Sequence, residues 1–296
     1  MKLFAPEYYK DFACIADRCA HSCCVGWEID VDARTMEKYA ALAHPYGGAI
    51  RESISGGEEP HFCLAADGRC PHLDGRGLCR IITQLGEDML CDICREHPRF
   101  YHTVAHRREV GLGLSCEEAC RIILSSDSYR NFIFLGEVED DAEEESSFDA
   151  AREREKLYDV LSDRSISYRE RLGRIADAYS LPTHFPEDLK SSILGELEFL
   201  EPRQGDLLYN AKEADFGGAG EVICERALAY FIFRHCSTAR DGCEFRAALG
   251  FSLFCESLLR SLAADGSNAF ESARIISEEL EYSEDNTESI KTEFLF

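Results

Sequence analysis

Cysteine is distributed so unevenly along this chain that it constrains the fold before any other feature. Of the 15 cysteines, Cys14, Cys19, Cys23, Cys24, Cys63, Cys70, Cys79, Cys91, Cys94, Cys116 and Cys120 lie in the first 120 residues, and only Cys224, Cys236, Cys243 and Cys255 follow. The densest run, CIADRCAHSCC from Cys14 to Cys24, holds four thiols in eleven positions. Gly, Pro and Asp punctuate the same region, as in PYGG, SGGEEP and DGRCPHLDGRG, so it has little apolar surface of its own to bury. Thiolates tied to a metal supply the cohesion that such a loop-rich segment lacks.

The compartment decides how these thiols are read. The start, MKLFAPEYYKDFACIADR, has no basic segment followed by an apolar core, and no apolar run approaches the length of a bilayer span. The chain therefore reads as cytoplasmic, without a transmembrane segment. In a reducing compartment, metal or redox chemistry is favoured over a disulfide framework.

The spacings are C-x4-C-x3-C-C in the first run, C-x8-C in CPHLDGRGLC and C-x2-C in CDIC. Zinc sites commonly join two C-x2-C knuckles, and here there is one. Iron–sulfur clusters tolerate looser spacing. The C-x3-C-x2-C pattern of radical enzymes starts at Cys19 and Cys23 but fails at Gly26. Spacing thus points to a metal and leaves iron–sulfur and zinc both open. The adjacent Cys23 and Cys24 have diverging side chains, which suits two separate sites or one inert thiol. Cys224, Cys236, Cys243 and Cys255 lie in apolar helical segments, where cysteine behaves as a small hydrophobe.

Lys plus Arg total 32 against 56 Asp plus Glu, a formal net charge of -24. Such a surface repels nucleic acid and suits a partner that presents lysines; the plainer reading is that it keeps the protein soluble.

The fold expected is mainly α: a loop-rich cysteine and metal-cluster region over residues 1–130, an acidic linker or loop over 131–147 around EVEDDAEEE, and a helical bundle over 148–296. Six segments of the last part carry apolar residues at helical spacing. Among them EVICERALAYFIFRHC is apolar round most of its circumference and is expected at the centre. Asp32 is placed to cap a helix from Ala33 to about Leu42, and Ser115 with Glu118 reads as a capping box for SCEEACRIIL. No strongly alternating strand is evident.

Three blocks, FACIADRCAHSCCVGWEIDVD, GRCPHLDGRGLCRIITQLGEDMLCDICREHPRFY and GLGLSCEEACRIIL, resemble the flagellin lysine-N-methylase family. The middle block is also similar to a wider group of zinc- or iron-chelating proteins marked by a CC pair, C-P-x-L, C-x-I and C-R-x-x-P-R. A weaker match continues through RALAYFIFRHC. The resemblance implies S-adenosylmethionine-dependent methylation of lysine ε-amino groups on flagellin or another lysine-bearing protein, with a 4Fe-4S cluster. It implies metal ligands among Cys14, Cys19, Cys23, Cys24, Cys70, Cys79, Cys94 and Cys116. Eight thiols make two sites of four, or one cluster with others to spare. Cys63, Cys91 and Cys120 are extras in these blocks, with Cys91 in reserve because it completes CDIC.

A non-enzymatic zinc or iron module, structural or metal-carrying, is the competing reading. No Rossmann pattern marks a donor site, and DFGGAG from Asp215 to Gly220 reads as a loop instead. His97, Tyr101 and His102 in REHPRFYH are candidates for proton handling, although that segment also serves simply to position the cysteine turn. Trp27 shields sulfurs or belongs to the core. Arg95 and Arg99, flanking Pro98, balance a negative cluster or pair with carboxylates. No single carboxylate stands out.

Overall fold

The computed structural model describes residues 1–57, 59–104, 106–139, 147–212, 219–264 and 268–295. Two compact units divide the chain: Ala13–Arg99, and Met1–Phe12 together with Phe100–Phe296. No helix among the described residues is long and apolar enough to cross a membrane.

The Ala13–Arg99 unit is built from short pieces, as its Gly and Asp content dictates. Its helices are α1 (Ala33–Ala41), α2 (Gly47–Glu52), α3 (Arg80–Leu85) and α4 (Asp92–Glu96). Asp32 caps α1 as expected, accepting from the Thr35 amide at 2.9 Å; its other oxygen accepts from the Asp92 amide at 2.9 Å, which ties the start of α4 to the start of α1. Isolated bridges, Val25 with Arg69, Asp30 with His61, Ile54 with Phe62 and Leu73 with Cys79, take the place of a sheet. The core is small. Ile29, Val31, Tyr39, Ile50, Phe62 and Ile81 are buried in it, and so are Cys70 and Cys91.

The second unit carries the mainly α character, with a sheet that the sequence did not announce. Strands β1 (Lys2–Pro6), β2 (Arg99–Val104), β3 (Arg107–Leu112) and β4 (Phe132–Glu137) lie in the order β2-β3-β1-β4. β1 runs parallel to β3, with Phe4 opposite Glu109, and antiparallel to β4, with Pro6 opposite Phe132. β4 takes up residues that the sequence reading gave to the start of an acidic linker; residues 140–146 of that stretch lie outside the described residues. So does most of DFGGAG, residues 215–218.

The helices of this unit are α5 (Glu117–Ser125), α6 (Ala150–Leu161), α7 (Tyr168–Ala178), α8 (Glu187–Gly195), α9 (Pro202–Asn210), α10 (Ala219–Phe231), α11 (Gly242–Ala264), α12 (Ala269–Ile276) and α13 (Glu284–Thr292). Wider π turns, Ile232–Cys236 and Ser277–Glu281, extend α10 and α12. α10 is central, with every residue from Ala227 to Phe233 buried. α9 and α13 were not foreseen, because neither carries a continuous apolar stripe. Ser283 caps α13 by accepting from the Asn286 amide at 3.1 Å, and acidic residues fill its first turn. The capping box at Ser115 does not form. Cys116 takes the cap position of α5 without a side-chain bond, Ser115 Oγ is buried with no hydrogen-bond partner among the described residues, and Glu118 turns instead to Arg121 at 2.6 Å.

Candidate functional site

Two constellations stand out, one in each unit. The first is made of thiols. In the Ala13–Arg99 unit the Cys70 amide donates to the Cys24 carbonyl at 2.8 Å, and Gly26 donates to Gly68 at 2.9 Å, so the loop after the CC pair lies along the approach to Cys70. The segment from Cys70 to Cys79 then folds back on itself. Asp74 accepts from the amides of Arg76 at 2.8 Å and Leu78 at 2.9 Å, and Gly77 takes a φ of 81°, which a side chain would disfavour. Leu73 thereby bridges to Cys79, and the two ends of CPHLDGRGLC come together. Cys79 stands at the cap of α3, Cys91 at the cap of α4, and Cys94 one turn into α4.

The result is a set of five thiols that feel one another's charge: Cys24, Cys70, Cys79, Cys91 and Cys94. All five are free thiols. Burial pushes Cys70 up to about 12 and raises Cys79, although the amides of Ile82 and Ile81 favour the Cys79 thiolate. Cys94 donates to Cys91, which lowers Cys91 and drives Cys94 upward. Cys24 is drawn down to about 7 by hydrogen bonding from Cys23, with help from Ser22 and Arg69 against the opposing effect of burial. Tyr39, whose hydroxyl donates to the Met89 carbonyl at 2.7 Å, is raised first by burial and then by Cys91, Cys94 and Cys79 beside it.

The nearby His72 is no ligand in this arrangement. Its Nδ1 meets the Tyr46 hydroxyl at 2.8 Å and its Nε2 the Ser53 hydroxyl at 3.0 Å. The donor set is therefore sulfur, suited to a soft or borderline metal or an iron–sulfur cluster. Yet among the described residues no group of three or more His, Cys, Asp or Glu side chains is disposed to hold a metal ion. The thiols are gathered without forming a closed ligand shell.

Of the eight cysteines singled out by sequence, Cys24, Cys70, Cys79 and Cys94 come together, and Cys91 joins them. Cys14 and Cys23 are exposed in the same unit, and Cys19 there donates to the His21 carbonyl at 3.2 Å. Cys116 belongs to the other unit, at the cap of α5, one turn before Cys120, whose thiol donates to the Phe270 carbonyl at 3.3 Å.

The second constellation is a cavity of about 410 Å³ in the second unit. Phe100, Tyr101 and His102 from β2 line it, with Arg234, His235 and Thr238 following α10, and Glu281, Glu284 and Lys291 following α12 and along α13. Strand periodicity puts His102 on the inner face of β2, while its neighbour Tyr101 faces outward and is exposed. His102 Nε2 meets Glu109 at 3.0 Å. Arg154 grips the same carboxylate through both oxygens, at 2.7 and 2.9 Å, and Arg107 approaches at 2.5 Å. Arg154 and His102 overcome the effect of burial and hold Glu109 far below the usual carboxylate range. Burial, by contrast, lowers His102 despite Glu109, so its ring is neutral. With Nε2 held by the carboxylate, Nδ1 carries the lone pair, and this atom has no partner among the described residues.

Across the cavity the pattern recurs. His235 Nε2 meets Glu281 at 2.6 Å, and burial brings that imidazole down to about 4. Glu281 also accepts from Tyr230 at 3.1 Å and stays ionised against burial because of Arg234 and His235. The Arg234 guanidinium lies 4.8 Å from the Phe100 ring centre and 4.9 Å from that of Tyr282. Glu109, Arg154, Arg234 and Glu281 were not picked out from sequence. For Glu109 and Arg234 the signal was there, since each borders or interrupts an apolar run, EVGLGL and YFIFRHC, and a buried charge needs a partner; Arg154 in AREREK and Glu281 in SEELEYSED lie among other charges and carry no such mark.

A chain from Salmonella muenchen described as "Flagellar biosynthetic protein FliU" is 31% identical over 127 residues, 40% of this chain and 75% of that protein. This chain belongs to the flagellin lysine-N-methylase family. Proteins named "Lysine-N-methylase" from Salmonella choleraesuis (strain SC-B67) and Salmonella typhimurium (strain LT2) are each 31% identical over 128 residues, again 40% of this chain. The chain spans about a third of the length of those two curated relatives, 32% in each case. No protein-family model and no solved structure matches it.

Proposed function

We propose that this protein methylates lysine ε-amino groups of flagellin, or of another lysine-bearing protein, using S-adenosylmethionine, and that an iron–sulfur cluster on the cysteines of the Ala13–Arg99 unit is required. The observation that carries the reading is the gathering of Cys24, Cys70, Cys79, Cys91 and Cys94 in a unit with a small core, in a chain related to proteins named for lysine methylation. Four of the five thiols suffice for a 4Fe-4S cluster, or three with one iron left open. Exposed Cys14 and Cys23 and half-buried Cys19 are the reserve on the same unit, and Cys116 stands apart in the other. Held by only three of these thiols, such a cluster would offer one iron without a protein ligand to the methyl donor.

The protein's own part is to gather the thiols, through the Asp74 turn and the caps of α3 and α4, and to keep Cys24 partly ionised near neutral pH. The net charge of -24 suits a lysine-rich surface on the partner. The alternative is a zinc-stapled module without methyl transfer, which the same sulfur donors also suit. Anaerobic purification, an absorption spectrum, and iron, sulfide and zinc analysis decide between the two metals. Transfer of a labelled methyl group from S-adenosylmethionine to flagellin lysines tests the activity. Stoichiometric zinc without sulfide refutes the cluster, and no transfer by an iron-replete protein refutes the enzyme.

A further inference from the structure

We infer that Asp32 is a positioning residue for the metal-binding thiols: its carboxylate joins the starts of α1 and α4 and so holds Cys91 and Cys94 where a metal can be shared with Cys24, Cys70 and Cys79. The inference rests on the reading of these cysteines as ligands, whichever metal they take.

α4 is five residues long, too short to hold its own shape in water. The first amides of a helix have no partner within it, and Cys91, at the cap of α4, makes no side-chain bond to them. Asp32, 60 positions earlier, supplies that bond from outside the helix. One of its oxygens accepts from the Asp92 amide at 2.9 Å, and the other accepts from the Thr35 amide at 2.9 Å as the cap of α1. Bonds from a carboxylate to backbone amides are charge-assisted and stronger than neutral ones. Cys91 directly precedes Asp92 and Cys94 lies one turn further, so the tie acts on the backbone that carries both thiols.

The same helix grips this stretch at other points. The Tyr39 hydroxyl donates to the Met89 carbonyl at 2.7 Å, Lys38 donates to the Asp88 carbonyl at 3.0 Å, and Arg34 pairs with the Asp92 carboxylate at 2.7 Å. The Lys38 and Arg34 contacts are exposed and contribute little; the Asp32 and Tyr39 bonds are partly buried and carry the attachment. Cys24, Cys70 and Cys79 are joined by separate backbone bonds, from the Cys70 amide to the Cys24 carbonyl and through the bridge of Leu73 with Cys79. The five thiols thus come in two parts, and α1 is what sets the part on α4 in place. Losing Asp32 should release Cys91 and Cys94 and leave the other three together.

The test is a titration of the 296-residue chain, reduced, metal-free and kept from oxygen, with cadmium(II). Sulfur-to-cadmium charge-transfer absorbance measures affinity, and the cadmium-113 resonance reports how many sulfurs bind. Asp32→Ala should weaken cadmium by about 10–100-fold, the range for removing a group that orients a metal ligand, and should lower the sulfur count. In that variant Cys91 and Cys94 should become open to alkylation in the presence of cadmium while Cys70 and Cys79 stay protected. Glu37→Gly, at an exposed position of α1, loosens the helix without touching the tie and should bind as wild type does. Should Asp32→Ala fail to fold, Tyr39→Phe, which removes only the bond to Met89, should weaken cadmium several-fold, and wild-type affinity there would then overturn the inference. Unchanged affinity and sulfur count in Asp32→Ala, or an equal loss in Glu37→Gly, overturns it as well. Wild-type protein whose thiols take no cadmium sinks this inference and the cluster together. Thiols that bind cadmium equally with and without Asp32 sink the inference alone, whereas an iron-replete protein that transfers no methyl group, alongside weakened cadmium in Asp32→Ala, sinks the activity alone.

Discussion

Glu109→Gln is the most revealing single change in the second unit. The wild-type carboxylate is fully buried and faces the guanidinium of Arg154, also fully buried, through two bonds of 2.7 and 2.9 Å, with Arg107 and His102 on the same oxygens. Gln keeps the shape but removes the charge, and its amide group presents hydrogens where two donors already point. Removing one partner of a buried pair costs about 3–5 kcal/mol, most of it from the uncompensated charge left behind. The Ser237 hydroxyl, 2.6 Å from Arg154, and the retained amide oxygen soften the loss, so about 3 kcal/mol is expected. With a urea dependence of about 2–3 kcal/mol per molar, the midpoint should fall by about 1 M or more. Helical circular dichroism is the assay, since this unit holds the long helices. The pH dependence checks the cause. A carboxylate whose folded value is depressed stabilises fully above its unfolded value of about 4.3 and loses that contribution as pH falls. The gap between wild type and Glu109→Gln should accordingly be widest at neutral pH and shrink on acidification. A loss below about 1 kcal/mol, or a gap that grows in acid, would refute the argument that charge pairing holds β3 against α6.

Three further outcomes are expected. In metal-free protein, Cys24 should react with iodoacetamide at a rate that reaches half its maximum near pH 7, while Cys70, raised to about 12, stays inert; peptide mapping across pH 6–9 measures both, and parallel behaviour of the two contradicts the assignment. Cys94→Ser should lower iron and sulfide below half of wild type, and Cys243→Ser, an exposed position in the other unit, should leave both unchanged; equal retention by the two variants removes Cys94 from the proposed ligands. Gly113→Ala should lower stability by about 1–3 kcal/mol, because a methyl there would stand 3.0 Å from the Arg234 guanidinium and collide with the Tyr282 hydroxyl, and an unchanged melting temperature would show that this corner of the cavity yields freely.

What was legible in the sequence follows from how far apart the partners lie. Cys70 and Cys79 come together through Asp74 and Gly77 between them, and Cys91 and Cys94 share one turn of α4, so local turn chemistry already carried that information. The central burial of α10 was equally plain from its apolar circumference. The sheet was not, since β1 is five residues long and pairs with β3 more than a hundred positions later, where no local pattern betrays the partner. The three resembling blocks also straddle the division between the units, so a run of cysteines that reads as one set by resemblance is shared out, with Cys116 beyond Arg99.

The cavity was the hardest to see. Arg154 lies 45 positions from Glu109, and Glu281 lies 46 from His235. Nothing in either neighbourhood names its partner, but the cost of an unpaired buried charge requires that one exist. YFIFRHC therefore announced a counter-charge somewhere in the fold, and EVGLGL announced another. Charges that interrupt buried segments mark where distant elements must meet. In this protein both such meetings, Glu109 with His102 and Glu281 with His235, fix the tautomer of an imidazole that lines the same cavity.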